Sequence, residues 1–482
     1  MQAQQTLAVD CSANPRPGYL ASQLVGVAPG TVIQITGTCL GNVTVTTSNL
    51  TFENSGGPDP VQQESVNFAY AAGLEGQIEV AGARNILVNG LTITGTSSDQ
   101  PGVVYANLWI HDGGSVTLQE TTIESAQRDG IRVEGASSLI FQSGGVLGFG
   151  IAGVPGANSG ISVIDNAAAV IGVPNTNGIA MGTAATYNPD TFGGGFCSCF
   201  TLAFPPSWWV QVNSQAGNGI TALHGGSVAI YDSIVSVPQV PLAADTGAKI
   251  HVEASSFSGG SMQIRGGSSL WLQNSGTSTN GILTSGGSSL VLVGSYIQDN
   301  AAAGGAPALQ ASGNSSITFA GGNSVTAQNG ASAVQIDHGS SLIEQTSALY
   351  NGADNPDNIS GPGLVQEQST LELGVGPFLG GFGLTWTGNI LVEQTSTFRL
   401  SGGVSISGAV QLLQGSNGFF NFNNDPAGGT TGPDADYVSG GVSCPFGGAP
   451  ASHASNPADV TPNPVPIAVS LAGAQSGQCL PF

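Results

Sequence analysis

The sequence has very few basic residues. Of its 482 residues, 7 are Lys or Arg and 29 are Asp or Glu, so the formal net charge is −22. Lys249 is the single lysine. A phosphate backbone or an anionic membrane surface is bound through clustered Lys and Arg side chains. The charge balance therefore argues against nucleic acid and anionic membranes as partners.

Long apolar segments are also missing. No run approaches the roughly 18 apolar residues that a membrane-spanning helix needs, so the sequence predicts no such helix. The first residues, Met1-Gln2-Ala3-Gln4-Gln5, contain neither a charged nor an apolar segment typical of a signal peptide. We expect a mature chain that carries an added initiator Met after its signal peptide was removed.

Cysteine is scarce, and its spacing favours disulfides over a metal site. No Cys-x-x-Cys motif and no nearby His completes a tetrahedral set of metal ligands. Disulfides predict an oxidising compartment, and hence a secreted or cell-surface protein. A disulfide between Cys197 and Cys199 would span a single residue and be strained, so it stays open whether these two pair with each other. The six cysteines form three local pairs: Cys11 with Cys39, Cys197 with Cys199, and Cys444 with Cys479.

A short phrase, two small polar residues followed by an apolar one, recurs along the chain. In the second half its apolar residues are separated by steps of 20, 27, 25, 29 and 27 residues. A fixed period of this size, filled with short runs of alternating polarity, indicates a solenoid of stacked repeats. The positions that define these steps are Leu270, Leu290, Ile317, Leu342, Leu371 and Phe398.

Each repeat contains three alternating runs of about three to five residues, joined by Gly, Ser or Asn, and none is long enough for a helix. The pattern of a leucine-rich repeat is absent. The sequence therefore predicts a parallel β-helix with three strands per coil. It resembles the right-handed parallel β-helix of the pectate-lyase-like superfamily over roughly residues 30 to 425. The resemblance concerns architecture, and a fold does not by itself imply an activity.

The repeats form one long domain, with a capping segment expected at each end. Leu20, Leu24 and Val27 have helical spacing and predict a short amphipathic cap helix. Proline-rich sequence at the C-terminus is expected to fold over the last coil, held by Cys444 and Cys479. The predicted divisions are a cap at 1–29, a β-helix at 30–425 with an aromatic-rich insertion at 174–217, and a C-terminal capping tail at 426–482.

Alternation along the first strand of each coil separates interior from exterior residues. Leu108, Ile110 and Ile131 are expected inside. Outward residues of successive coils should form rows about 4.8 Å apart, because this is the spacing of paired strands. The outward residues and their neighbours that could carry chemistry are Trp109, His111, Arg132, Glu134, Asp165 and His224.

In enzymes of the superfamily the substrate groove runs along such a face, and the resemblance implies a site there. Chemistry on a uronic acid needs a cation beside the carboxylate and a base for the C5 proton. Arg132 could neutralise the carboxylate, and His111 or His224 could accept the proton.

Hydrolysis would instead need two carboxyl groups roughly 5 to 9.5 Å apart. Glu134 and Asp165 are the plausible pair on this face. Trp109 on the strand, with Trp208 and Trp209 in the insertion, could stack on sugar rings as substrate-binding residues.

A simpler interpretation stays open, because outward charges on a solenoid usually solvate its surface. Arg132 beside Glu134 is then a surface ion pair that contributes at most about 1 kcal/mol. The motifs of the superfamily's polygalacturonases are not found, since Leu223 precedes His224-Gly225, and the clustered Asp and basic residues of its calcium-dependent lyases are missing. We therefore favour a structural, adhesive or glycan-binding protein over the alternative, a polysaccharide lyase, epimerase or glycosidase.

The oxygen-rich segments 354–358 and 423–425 lack the spacing of known calcium loops and predict at most a weak calcium site. No other cofactor and no metal centre is predicted. The expected partner is a polysaccharide or cell-surface glycan, and the sequence leaves homo-oligomerisation open.

Overall fold

The protein is described by a computed structural model. The described residues are 5–56, 73–95, 106–126, 128–149, 159–174, 210–214, 216–300, 305–328, 330–344, 357–374, 384–401, 404–413, 416–421, 437–438, 442–443 and 479–481. They belong to two compact units, an N-terminal unit of residues 1–259 and a C-terminal unit of residues 260–482.

Short strands make up nearly all of the regular structure in both units, and the described residues contain one five-residue helix, α1 (Tyr19–Gln23). The strands of the N-terminal unit are β1 (Thr6–Asp10), β2 (Val32–Thr36), β3 (Thr38–Leu40), β4 (Val43–Val45), β5 (Thr51–Asn54), β6 (Gly73–Glu75), β7 (Ile78–Ala81), β8 (Ile86–Asn89), β9 (Thr92–Thr94), β10 (Ala106–His111), β11 (Ser115–Gln119), β12 (Thr121–Glu124), β13 (Asp129–Val133), β14 (Ser138–Phe141), β15 (Gly144–Leu147), β16 (Ser159–Ile164), β17 (Ala168–Ile171), β18 (Val210–Asn213), β19 (Asn218–Leu223), β20 (Ser227–Tyr231), β21 (Ser233–Val237), β22 (Leu242–Asp245), β23 (Lys249–Glu253) and β24 (Ser256–Gly259). Those of the C-terminal unit are β25 (Met262–Ile264), β26 (Ser269–Gln273), β27 (Gly276–Thr279), β28 (Ile282–Ser285), β29 (Ser289–Val293), β30 (Tyr296–Asp299), β31 (Leu309–Ser312), β32 (Ser316–Phe319), β33 (Ser324–Thr326), β34 (Val334–Ile336), β35 (Ser341–Glu344), β36 (Asp357–Ser360), β37 (Gly363–Val365), β38 (Thr370–Leu373), β39 (Leu384–Thr387), β40 (Ile390–Val392), β41 (Thr397–Ser401), β42 (Val404–Ser407), β43 (Val410–Leu412), β44 (Asn417–Asn421), β45 (Tyr437–Val438), β46 (Val442–Ser443) and β47 (Cys479–Pro481).

Within each unit, strands pair in parallel with the strand three positions later in the chain, except that β1 pairs with β2. This regular offset confirms the predicted right-handed parallel β-helix with three strands per coil. In each unit the strands form three sheets. Sheet 1 contains β2, β5, β8 and every third strand that follows, with β1 at its start. Sheet 2 contains β4, β7, β10 and every third strand, and sheet 3 contains β3, β6, β9 and every third strand.

Alternate residues of the strands fill the interior. In sheet 2, Leu108 pairs with Ile131, and Ile131 pairs with Ile161; all three are fully buried. In sheet 1 of the C-terminal unit, Leu290 pairs with Leu270 on one side and Ile317 on the other. Burial of an aliphatic side chain contributes about 1.5–3 kcal/mol. Burial of the alternating apolar side chains is therefore the main contribution to the stability of the fold.

The recurring Ser-Ser-Leu phrase marks the corner between sheets 2 and 1. Two residues with positive φ, such as Gly266 (60°) and Gly267 (75°), turn the chain before a buried serine. In the C-terminal unit the backbone N–H of Ser268 donates to the Ser288 hydroxyl at 3.2 Å, and the N–H of Ser288 donates to Ser315 at 3.2 Å. The small hydroxyl satisfies a buried N–H where the corner leaves it without a strand partner. This explains why the phrase repeats.

Later corners of the C-terminal unit keep the same backbone but replace glycine. Glu367 and Gln368 have φ values of 58° and 63°, and Gln394 and Thr395 have 57° and 62°. A residue with a Cβ atom destabilises the left-handed conformation by about 1–2 kcal/mol. For the β-branched Thr395 this conformation is a genuine outlier.

The N-terminal segment contributes a strand of sheet 1 in addition to the predicted cap helix. Strand β1 already pairs with β2, and α1 ends at Gln23, before the Leu24 that the sequence placed in a longer helix. Cys11 and Cys39 form a disulfide with a Cα–Cα distance of 5.0 Å. Cys197, Cys199 and Cys444, and the side chain of Cys479, lie outside the described residues, so their predicted pairing stays a prediction. The structure does not test the proposed divisions at residues 30 and 425.

The predicted insertion and the predicted C-terminal tail also contribute strands to the sheets. Strand β18 lies within the predicted insertion at 174–217, and its Val212 pairs with Val146 and is buried. Strand β47 lies within the predicted tail and pairs with β44. The remaining described part of the insertion is residues 174, 214, 216 and 217.

Several carboxyl groups of the C-terminal unit occupy buried strand positions, among them Glu344, Asp299 and Asp357. Glu344 pairs in register with Phe319 and is 1% exposed. Its Oε2 accepts a hydrogen bond from the Gly374 N–H. Burial, followed by the nearby charge of Asp357, raises the pKa of Glu344 to about 7. Burial likewise raises the pKa of Asp357 to about 6, although two hydrogen bonds from Asn323 favour its ionised form.

These raised pKa values predict that the protein is more stable in weak acid than in weak base. Because the folded-state pKa values exceed those of the unfolded chain, the stability contributed by these protonated groups is complete below about pH 4 and is lost as the pH rises to about 7. A tenfold difference between the acid dissociation constants of the folded and unfolded states corresponds to about 1.4 kcal/mol. Urea unfolding at pH 4.5 and pH 8 should show the higher midpoint at pH 4.5. Glu344→Gln should reduce the difference, and an unchanged difference in this variant would contradict the assignment.

The strained corners predict a stabilising substitution. Thr395→Gly removes the left-handed penalty of about 1–2 kcal/mol, while glycine adds unfolded-state entropy of about 0.5–1 kcal/mol. We expect a net stabilisation of about 0.5–1 kcal/mol, measured by chemical unfolding. The matched control is Thr397→Gly, two residues later in β41, which should destabilise because glycine weakens a strand.

Candidate functional site

The predicted site lies on the outer face of sheet 2 in the N-terminal unit. Pairing between coils places Glu79 beside Trp109, Trp109 beside Arg132, and Arg132 beside Ser162. Thr44 and Thr221 extend this row on its two sides. The row exists because alternate residues of each strand point outward while the aliphatic residues between them fill the interior.

Glu134 connects the centre of the row. The Trp109 indole Nε1–H donates to Glu134 Oε1 at 2.8 Å, and the Arg132 Nε–H donates to Glu134 Oε2 at 2.7 Å. The side chains of Arg132 and Glu134 are 27% and 20% exposed. Both carboxylate oxygens therefore have a fixed donor, and the indole ring is held in one orientation. We name these residues, together with His111, the Trp109 cluster.

His111 extends the cluster toward Glu79 and Asp112. Its ring stacks on Trp109 with centroids 4.0 Å apart. Its Nε2 lies 3.0 Å from Glu79 Oε1, and its Nδ1 lies 2.9 Å from Asp112 Oδ2. The ring donates to both carboxylates at once only when both nitrogens are protonated. Thr44 adds a hydroxyl that donates to the other Glu79 oxygen at 2.8 Å.

Asp129 lies beneath Arg132 at the start of β13. It accepts a hydrogen bond from the Ser159 N–H at 2.8 Å, and its Oδ2 is 3.9 Å from Arg132 Nη1. Burial raises the pKa of Asp129 to about 6, although the bonds from Ser159 and Ser162 and the charges of Arg132 and Arg128 favour the carboxylate. A carboxyl group with a raised pKa beside an ionised one is an arrangement that acid–base enzymes use.

Hydroxyl groups continue the outer face toward the next coil. Thr221 Oγ1 is 3.1 Å from Ser159 Oγ and 3.2 Å from Ser162 Oγ. Ser162 and Thr221 point outward by register, yet they are 3% and 5% exposed. The hydroxyls of Ser159, Ser162 and Thr221 therefore lie within hydrogen-bond distance of one another.

Asp165 and His224 form a separate pair. Both lie in the corner after sheet 2 with positive φ values, and His224 Nδ1 is 3.2 Å from Asp165 Oδ1. Their side chains are 60% and 59% exposed for His224 and Asp165 respectively. The structure thus brings together four of the six strand-face candidates, whereas Asp165 does not join Glu134 and His224 does not join His111. The hydrolytic pair Glu134 and Asp165 stays a prediction.

Three residues of the site were missed from the sequence. Glu79 lies one coil before Trp109, and the matching phrases Ile78-Glu79-Val80 and Leu108-Trp109-Ile110 could have revealed it. Asp112 follows His111 directly. Asp129 alone gave no signal, because its burial depends on how the following coil stacks.

Some predicted residues lie outside the described part of the chain. These are Trp208 and Trp209, and also the weak calcium segment 423–425 and residues 354–356 of the other. Within the described ranges, no group of three or more His, Cys, Asp or Glu side chains could hold a metal ion. Nor does any helix there have the length and hydropathy that crossing a bilayer requires.

No protein-family model and no curated protein matches the sequence. Among solved structures, a mannuronic acid specific polysaccharide family 6 lyase from human gut microbiota aligns with 85% of this chain and 87% of its own. The identity is 9% and the TM-score is 0.36. A likeness at this level carries no argument about activity, so the function must be argued from the site.

The bond between Trp109 and Glu134 can be measured by a double-mutant cycle. Trp109→Phe keeps a stacking ring but removes the indole N–H, and Glu134→Gln removes the charge. We expect a coupling energy of about 1 kcal/mol in unfolding, because a partly buried, charge-assisted hydrogen bond exceeds a typical exposed pair. Additive single effects would show that the two side chains do not interact. A cycle between Trp271→Phe and Glu134→Gln, at separate sites, is the control.

Proposed function

We propose that the protein is a secreted or cell-surface β-helix that binds a neutral polysaccharide on the outer face of sheet 2. The observation that carries the proposal is the Trp109 cluster, in which a partly exposed indole ring is fixed by Glu134 and His111. Ring faces carry negative charge and attract the polarised C–H groups of a sugar face. A ring that is already held loses little conformational entropy on binding.

The charges around the ring favour a neutral ligand. Four carboxyl groups, those of Glu79, Asp112, Asp129 and Glu134, surround the cluster, against the two guanidinium groups of Arg128 and Arg132. Arg132 already bonds Glu134 through its Nε–H, so part of its positive charge is offset before any ligand binds. The chain as a whole carries a net charge of −22, which repels a polyanion.

The same face supplies groups that bind hydroxyls. Thr44 and Glu79 lie on one side of Trp109, and Glu134 lies on the other. Carboxylate oxygens accept hydrogen bonds through several lone pairs, so each can accept a further bond from a sugar hydroxyl. An extended chain lying across successive coils would meet these groups in turn.

The disulfide supports a location outside the reducing cytosol. Disulfides form and persist in oxidising compartments. The bond between Cys11 and Cys39 joins the end of the first strand to the first strand of sheet 3.

A second candidate function is hydrolysis at the same face. It is favoured by one observation: the pKa of Asp129 is raised, and the carboxyl groups of Asp129 and Glu134 both lie beside Arg132. A general acid must, however, reach the glycosidic oxygen. Asp129 is 3% exposed and is bonded to the next coil, so binding is the better supported role.

Binding can be tested with immobilised or soluble polysaccharides. Neutral glucans, mannans and xylans, with pectate and alginate as polyanionic comparisons, should be screened by affinity electrophoresis. We expect retention by at least one neutral polymer, and a weaker retention of Trp109→Ala by the same polymer. The matched control is Trp271→Ala, the same change on sheet 1 of the C-terminal unit, which should leave retention intact.

The same incubations separate binding from catalysis. Reducing ends and unsaturated products should stay at background with the wild-type protein. Product formation that is abolished by Glu134→Gln would establish the enzyme instead. Absence of binding to every polymer, or loss of binding only with Trp271→Ala, would overturn the proposal.

A further inference from the structure

A second polar surface lies on the corners of the C-terminal unit. Four successive corners form a shallow, solvent-open groove of about 520 Å³. Its lining side chains combine amides, a hydroxyl, an imidazole and a carboxylate, and none of them is an aliphatic or aromatic hydrocarbon. They are Asn314, His338, Glu367, Gln368, Gln394 and Thr395. We name this surface the corner groove.

His338 is fixed in the centre of the groove. Its Nδ1 lies 2.8 Å from Asp337 Oδ1, and its Nε2 lies 2.9 Å from Glu367 Oε2 on the next coil. Asp337 is buried and also accepts hydrogen bonds from Gln310 and Gln335. The hydrogen bond that the imidazole donates to Asp337 is the main cause that raises the pKa of His338 above its usual value. The imidazole therefore does not rotate freely at the surface.

The side chains of the groove are present despite an unfavourable backbone. The corners at Gly266-Gly267 and Gly286-Gly287 use glycine at both left-handed positions. A Cβ atom at Gly267 or Gly287 would meet nothing within 4 Å, so packing does not require glycine there. The last groove corner adopts similar φ values with Gln394 and Thr395. The last groove corner therefore keeps two side chains on a backbone that glycine would adopt without strain.

We propose that the corner groove is a second glycan-binding site, which takes a hydroxyl-rich neutral saccharide. It is separate from the Trp109 cluster and does not depend on it. A row of amide and hydroxyl groups offers donors and acceptors in turn, which matches sugar hydroxyls. Pockets for drug-like ligands are mostly apolar, and this groove lacks apolar side chains. With no Lys or Arg among its lining residues, the groove does not favour an anionic ligand.

Because glycine adopts the left-handed conformation without strain, glycine substitutions can remove these side chains while the fold is kept. Gln368→Gly, Gln394→Gly and Thr395→Gly together convert the two corners toward the Gly-Gly form of their sister corners. This triple variant should unfold at the same or higher denaturant concentration than the wild type. We expect its affinity for the bound saccharide at this site to fall at least tenfold.

Hydrogen–deuterium exchange locates each site separately. Full-length protein would be incubated with soluble β-glucan, mannan or xylan oligosaccharides, with oligogalacturonate as the anionic comparison. We expect a neutral oligosaccharide to slow exchange at residues 338–340, 366–369 and 393–396. The slowing should persist in Trp109→Ala and disappear in the triple glycine variant.

The outcomes distinguish this site from the proposed function. Slower exchange confined to residues 106–134 would overturn the corner groove and leave the Trp109 cluster supported. Slower exchange confined to the corners would overturn binding at the Trp109 cluster and leave the corner groove supported. Slower exchange that survives in the triple glycine variant, exchange unchanged by every oligosaccharide, or slowing by oligogalacturonate alone would also overturn the corner groove.

Discussion

Parallel pairing of each strand with the strand one coil away is the interaction on which the rest of the structure depends. Because paired strands lie about 4.8 Å apart, every residue has a neighbour of the same orientation in the coil before and the coil after. Inside, this stacks Leu270 on Leu290 and Leu290 on Ile317. At the corners it lets the Ser288 hydroxyl accept the N–H of Ser268. Outside, it brings together residues that are distant in sequence. The two polar surfaces are therefore consequences of coil stacking and of the number of residues in each coil.

The fold could be predicted because both of its determinants are local. Alternation in a phrase such as Leu108-Trp109-Ile110 identifies a strand and its inner face without knowledge of its partner. The serine phrase identifies a corner. Trp109, His111, Arg132 and Glu134 were found together for the same reason, since they lie at matching positions of successive phrases.

The rest of the site depends on interactions between coils that no local pattern specifies. Asp129 looks like a loop residue, and its burial follows from the coil stacked upon it, whose Ser159 N–H it accepts. Glu344 breaks the pattern, because a carboxyl group stands where Phe319 stands one coil earlier. Asp165 was one residue out of register with Glu134, and that single residue places it in the left-handed corner, facing His224. Alternation predicts which side of a strand a residue occupies, but not where the strand ends.

The two polar surfaces differ in how their side chains are held, and this bears on what they can do. In the Trp109 cluster the polar atoms of Trp109, Arg132 and Glu134 are bonded to one another, which fixes a ring and leaves no group among these three poised to transfer a proton. A catalytic acid needs a proton that a substrate can reach, and the carboxyl group with the raised pKa in this region, Asp129, is enclosed. In the corner groove the central His338 is similarly clamped between carboxylates, while the side chains of Gln368 and Gln394 extend from a backbone that would be more stable with glycine. Both arrangements fix side-chain positions in advance, at a cost in strain or desolvation, and this lowers the conformational entropy that is lost when a ligand binds.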